Sequence, residues 1–518
     1  MEGTLWAFLP AVIAIVLALL TKQVYVSLFL GIFVGAMMYA GGNPLEAMFT
    51  LYQVMSEKVG ANTPIIVFLV VLGILVVLMQ KSGGARAYGD WAGRKIKTKG
   101  GALAATAGLG CLIFVDDYFN CLTVGSVMRP VTDKFKIARS KLAYIIDATA
   151  APVCIIAPIS SWAAAVAGEL EGDGLTVFIS TIPFNIYALL TLVMVFSLCY
   201  FKFDFGKMKR NDVIAEETGD LHAGAEKNSE KTEEVLANPK GKVRHLIIPV
   251  LVLIACCIGG MIYTGFFYNW DTGLIDSELQ SANVIEAFSN CDAGLSLAIG
   301  STFALIIIAV YYMISGVVSF KGITDSFTAG FKAMVPAILI LTFAWTISGI
   351  MGAKGGYLDA QAFVENNLAN SSFPNFLFPA IFFVLAGAIA FSTGTSWGTF
   401  GILVPIAVTL LGGGADTLTL MTVSATLGGA VFGDHVSPIS DTTILASAGA
   451  ECNHVDHVNT QLPYAATVAG IGFVTYLIGG ACATLGSVVS CLIMWAAALA
   501  LLAGTIFLIK FIEKKKSV

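Results

Sequence analysis

The sequence predicts an all-α polytopic membrane protein built from two inverted repeats, and three observations carry that expectation. Of its 518 residues 57% are hydrophobic and 12% charged, with a mean hydropathy of +0.83; a soluble chain carries about 25% charge. Apolar runs of the length that crosses a bilayer, roughly 17–25 residues, recur along the chain. Segments also return at near-constant spacing. Residues 79–86 read MQKSGGAR and residues 351–358 read MGAKGGYL, Pro130 has a counterpart in Pro405, and Pro158-Ile159-Ser160-Ser161 returns as Pro438-Ile439-Ser440-Asp441. The offsets are 272, 275 and 280, so one structural unit is expected twice, with the site between the copies.

In chain order, spans are expected near 5–21, 24–40, 64–80, 142–167, 175–201, 245–266, 294–316, 335–352, 419–449, 463–485 and 487–510, eleven crossings in all. No charged leader with a cleavage site precedes the first, which therefore reads as a retained anchor. Lys and Arg gather at 81–99, 129–141, 202–244, 321–332, 510–516 and Lys22, which together hold 27 of 29. By the positive-inside rule these connections are cytoplasmic. The alternating connections 168–174 and 266–293 contain acids and no Lys or Arg. That threading puts the N-terminus outside and the C-terminus in the cytoplasm, as expected of a multi-pass protein of the cell's cytoplasmic membrane.

Both 81–99 and 129–141 must be cytoplasmic, so the apolar stretch 101–128 between them is predicted to enter and return as a re-entrant hairpin. Its duplicate, 376–411, should enter from the opposite face. Five crossings per copy, an odd number, make the repeats inverted. Residues 1–201 then form the first repeat, with hairpin 101–128 and broken helix 142–167. Residues 245–486 form the second, with hairpin 376–411 and broken helix 419–449, and 487–518 add one helix and a basic tail. Between the copies, 202–244 carries nine basic and nine acidic residues and reads as a solvated cytoplasmic linker, a flexible tether by composition.

Carboxylates in such surroundings cost roughly 2.5–3.5 kcal/mol each even on lenient scales. Five acids, Asp116, Asp117, Asp147, Asp434 and Asp441, lie in or beside apolar stretches. Around Gly394, residues Ser392, Thr393, Thr395 and Ser396 supply hydroxyls for a hard cation where the backbone is irregular; the alternative is that they bond the preceding turn of an unbroken helix. Pro438 removes a helical amide and breaks the helix between Asp434 and Asp441. With Ser437, Ser440 and Thr442 that run can hold Na+. His435 lies in the same run. In the first copy Asp147, Thr149, Ser160 and Ser161 take the corresponding places, without the second acid. Asp116-Asp117 is a like-charge pair, which leaves one group able to carry a proton, and Asn120 adds a neutral amide. The other reading of the pair is a helix cap in cytoplasmic water.

Gly394 to Gly401 followed by Pro405, Gly433-Asp434-His435 with Ser437 to Thr443, and Asp116 to Asn120 resemble the signature segments of the NhaC family of sodium/proton antiporters, which includes malate/lactate antiporters. The likeness extends over nearly the whole chain except 202–244. It implies an ion-transporter-type fold with inverted repeats and hairpins, driven by Na+ or H+ gradients. The expected function is exchange of Na+ for H+ by alternating access; the alternative is ion-coupled transport of a small organic anion or amino acid. No Lys or Arg lies in a hairpin tip or broken span, which favours ions alone. An intramembrane hydrolase using Ser437 or Ser440 with His435 and Asp434 is disfavoured, because these residues are too close along one backbone for a relay. The ten cysteines show no metal spacing, and no basic patch with interleaved aromatics points to nucleic acid. No cofactor is expected beyond the transported Na+ and H+. The partners expected are the bilayer and a small substrate, with a homodimer as one option for assembly.

Overall fold

The computed structural model describes residues 4–21, 23–170, 174–201, 203–225, 238–269, 274–276, 279–281, 283, 287, 291–351, 357–363, 374–411 and 415–516. Apart from a two-residue strand pair at 268–269 and 274–275, its regular structure is helical. The helices are α1 Leu9–Thr21, α2 Val24–Tyr39, α3 Pro44–Ala61, α4 Thr63–Ser82, α5 Gly84–Lys95, α6 Lys99–Leu112 and α7 Asp117–Lys134. There follow α8 Arg139–Ala148, α9 Ala151–Cys154, α10 Ser161–Ala167, α11 Gly174–Thr181, α12 Ile186–Phe201 and α13 Gly206–Thr218. The second half contributes α14 Arg244–Phe267, α15 Ala293–Ile314, α16 Phe320–Met351, α17 Ala360–Phe363, α18 Phe378–Thr393 and α19 Ser396–Leu410. The chain closes with α20 Thr417–Val436, α21 Asp441–Ala450, α22 His454–Cys482 and α23 Ser487–Lys516.

Local chemistry sets most of these boundaries. Asn43 caps α3 by accepting the amides of Leu45 and Glu46, with Pro44 at the first helical position. Gly83 ends α4 in the left-handed region, φ 73°, where a side chain would be strained. Small residues let helices approach closely, as membrane helices require. A Cβ on Gly125 of α7 would stand 2.6 Å from the Cα of Gly449 on α21, so these two helices meet backbone to backbone.

Among the described residues seven helices are long and apolar enough to cross a bilayer, or nine if each of two bent pairs is one span. The sequence predicts eleven. The difference arises because 142–167 and 419–449 are broken into pieces that fail on length or hydropathy and the first span, near 5–21, is too short, while Asn375–Thr393, an arm of the predicted second hairpin, passes. Two segments before predicted spans are also helical. α3 bends 117° from α2, and α16 begins at Phe320 and bends 42° near Pro336.

The stretch 202–244 differs from a free tether where it is described. α13 buries Met208, Asn211, Asp212 and Ala215. Lys141 bridges Asp204 at 2.6 Å and Asp212 at 3.0 Å, and Lys99 reaches Asp212 at 3.0 Å. Asn211 donates to Asp456 at the start of α22, and the Asn238 side chain donates to the Val317 carbonyl. The composition is that of a solvated stretch, but Asp204, Asp212 and Glu216 pair with Lys141 and Lys99 of the first half and Lys207 with Asp456 of the second. Residues 226–237, with most of its acidic run, lie outside the described residues.

Candidate functional site

Each of the two predicted hairpins is a helix, a short break and a helix. In the first, α6 ends at Leu112 and α7 starts at Asp117; in the second, α18 ends at Thr393 and α19 starts at Ser396. The second halves start at capped N-termini. Asp116 accepts the Phe119 amide at 2.9 Å, and Thr395 accepts the Gly398 amide at 3.4 Å. The two broken helices behave alike: Ser160 caps α10 through Ala163, and Ser440 caps α21 through Thr443. Four helix N-termini, with their positive dipole ends, are thus turned into the interior.

Asp434, at the end of α20, is buried where the second hairpin meets the second break. Its Oδ2 accepts from Thr442 Oγ1 at 2.8 Å and from Ser396 Oγ at 3.4 Å, one hydroxyl from α21 and one from α19. Pro438 lacks the amide that would have met the Asp434 carbonyl. Ser437 N at 3.0 Å and Thr443 Oγ1 at 3.5 Å supply donors instead. Ser437 Oγ donates to the Phe391 carbonyl, tying the break to the hairpin arm. Gly394, at φ 70°, lies against the Ile439 carbonyl and leaves no room for a Cβ there.

Asp147 is the second hub, and its neighbours come from the other half of the chain. Its Oδ2 accepts from Gln461 Nε2 at 2.7 Å and Thr443 Oγ1 at 3.0 Å, with His457 Nε2 at 3.3 Å. Gln461 also donates to the His435 carbonyl at 2.6 Å, and His435 Nδ1 pairs with the Tyr187 hydroxyl at 3.0 Å. Asp147 Oδ1, Gln461 Oε1, His435 Nε2 and Asn120 Oδ1 are buried without a hydrogen-bond partner. Polar atoms left so in the interior are costly unless a transient occupant meets them.

Not every predicted residue falls where the sequence put it. The irregular backbone at the second tip is confined to Gly394 and Thr395; Ser392 and Thr393 complete α18, and Thr393 bonds the Ile389 carbonyl of its preceding turn. Asp116 is a helix cap, but a buried one, 2% exposed, rather than one in water. Asp117 is buried too and accepts from the Trp162 indole at 3.0 Å. Asn120 spends its amide on the carbonyls of Gly110, Ile113 and Thr149. Thr149 bonds Ile145, Ser160 bonds Cys154, and the Ser161 amide bonds Val115 across to the first tip. Asp441 starts α21, but its side chain lies outside the described residues. Among the described residues neither Ser437 nor Ser440 hydrogen-bonds to His435.

Sequence reading missed Tyr187, His457 and Gln461. A His and a Gln four residues apart on an apolar helix were the available signal, since that spacing puts both on one face. Among the described residues no three His, Cys, Asp or Glu side chains could hold a metal ion together. A cation here would therefore rest on hydroxyl, amide and carbonyl oxygens around single carboxylates.

Buried carboxylates set at helix breaks within a bundle of apolar helices define a multi-pass membrane transporter. The chain belongs to the Na+/H+ antiporter family, whose family model matches residues 163–481. It is a secondary active transporter of that type. A protein of Haemophilus influenzae of uncharacterised function is 40% identical over 497 residues, 92% of this chain and 91% of its own length. The malate-2H+/Na+-lactate antiporter of Bacillus subtilis is 30% identical over 148 residues, 28% of this chain and 30% of that one. Among solved structures, the YdaH transporter of Alcanivorax borkumensis aligns over 85% of this chain and 89% of its own at 15% identity, with a TM-score of 0.44.

Proposed function

We propose that Na+ and H+ exchange by competing for Asp434, with the Thr442 and Ser396 hydroxyls as its orienting partners and Asp441 as the second carboxylate of the site. The observation that carries this reading is the joining of hairpin and broken helix through one carboxylate oxygen. A proton neutralises Asp434 and releases the cation; Na+ binds the ionised form. Exchange then follows without a separate coupling device or a cofactor, and alternating access carries the loaded site across the cytoplasmic membrane. Asp147, held by α22 and α21, links the two halves at the moment of that change. Hydrolysis has no part in this reading, since the hydroxyls of Ser437 and Ser440 serve the backbone.

Asp434→Asn keeps size and removes the charge. In proteoliposomes the variant is expected to lose Na+-driven proton movement at saturating Na+ while inserting normally. Normal exchange in Asp434→Asn would move the ion site elsewhere among the buried acids.

A further inference from the structure

Two glutamates stand at corresponding places in the fold and are treated in opposite ways. Glu451 follows α21, the short helix that Ser440 caps, and Glu169 follows α10, the short helix that Ser160 caps. Glu451 is half exposed and paired with Arg129, with Arg139 at 3.8 Å. Those arginines belong to the basic connection 129–141, so Glu451 lies on the basic face. Gly168, just before Glu169, packs against Ile65 at the start of α4, and α4 meets the basic connection 81–99 only at its other end, Ser82, so Glu169 lies toward the opposite face. There Glu169 is buried, 7% exposed, and neither carboxyl oxygen has a hydrogen-bond partner.

The surroundings of Glu169 offer little to an ion. Its neighbour Gly168 lies against Ile65 of α4 and the indole of Trp345 on α16. The Trp345 N–H is itself buried without an acceptor. Lys58 of α3 lies along Gly349 of α16 and makes no ion pair with Glu169 among the described residues. Among the described residues α4, α11, α15 and α19 bring no acidic or basic side chain of their own to α10, and Asp292, the cap of α15, stands beyond Ile65; Glu171 and Asp173 follow in sequence, outside the described residues. A carboxylate without donors in such a place costs several kcal/mol. The neutral acid avoids that cost.

The inner end of the same helix reaches the central acids. Trp162, on the first turn of α10, donates to Asp117, and Ser161 to Ala167 cover roughly 10 Å at 1.5 Å per residue. We propose that Glu169 is a proton-carrying group on the route between the central carboxylates and the face opposite the basic connections. The inference rests on the exchange reading above, but its test separates the two.

In oriented proteoliposomes, the rate of Na+-driven proton movement by wild-type protein is measured against pH on the Glu169 face alone. Glu169→Gln is expected to flatten that dependence and slow exchange at least tenfold, with apparent Na+ affinity within twofold of wild type, and Glu169→Asp to restore the profile. Equal loss at all pH values, or a wild-type profile in Glu169→Gln, overturns the proposal. Absence of exchange in wild-type protein instead sinks the wider reading. A second measurement needs no transport: dicyclohexylcarbodiimide, which attacks protonated carboxyls in apolar surroundings, should label Glu169 in the purified wild-type protein, less as pH rises. Failure to label at pH 6 also overturns it.

Discussion

Replacing Thr442 by valine removes one hydroxyl and nearly keeps the shape of the side chain. In the wild-type chain that hydroxyl donates to Asp434 at 2.8 Å, whereas Ser396 reaches the same oxygen at 3.4 Å. A hydrogen bond to a charged group contributes roughly 1.5–3 kcal/mol, and about 1.4 kcal/mol is tenfold in affinity. Apparent Na+ affinity should therefore fall roughly 10- to 100-fold in Thr442→Val. Ser396→Ala loses the longer, weaker bond and should cost about threefold or less. Thr442→Ser keeps the donor and should remain close to wild type. The assay is the Na+ dependence of proton movement in proteoliposomes, read with an internal pH dye at fixed external pH. A larger loss in Ser396→Ala than in Thr442→Val would refute the ordering drawn from these distances. No loss in either would remove both hydroxyls from the ion's path.

Lys141→Met should destabilise the purified protein by roughly 3–5 kcal/mol at most, since it leaves Asp204 only the long bond from the Tyr464 hydroxyl while Lys99 still serves Asp212; an unchanged thermal midpoint would mean that α13 is not held by this cluster. Burial works against the charge of Asp212, but Lys141 and Lys99 outweigh it and hold its carboxyl below the usual range. That contribution is present above the ordinary carboxylate range and is lost as pH falls through it, so acid should loosen wild-type protein more steeply than Lys141→Met, as a pH series of melting curves would reveal. For topology, Lys97→Cys and Lys134→Cys should both label from the cytoplasm and Asn283→Cys from outside. Labelling of 97 and 134 from opposite sides would make 101–128 a crossing span.

Composition and period were enough to determine that this chain is a helical membrane protein, because a bilayer accepts only backbones that satisfy themselves, and long apolar runs can do so only as helices. The breaks were legible for the same reason: Pro438 and Gly394 are local facts, and their effect on the backbone needs no distant partner. Buried acids announced themselves by cost, so Asp116, Asp117, Asp147 and Asp434 could be singled out one at a time. Which of them share neighbours is another matter. Asp147 meets Thr443, His457 and Gln461 across about 300 residues of sequence, and nothing local encodes that meeting. The same holds for the segment 202–244, whose composition is that of a solvated chain while Asp212 and Asn211 are buried by charges and amides from both halves. Contrast between Glu169 and Glu451 is likewise invisible in sequence. Each is one glutamate after a run of small residues, and only the packing of α7 and α8 against α21 gives one of them its arginines.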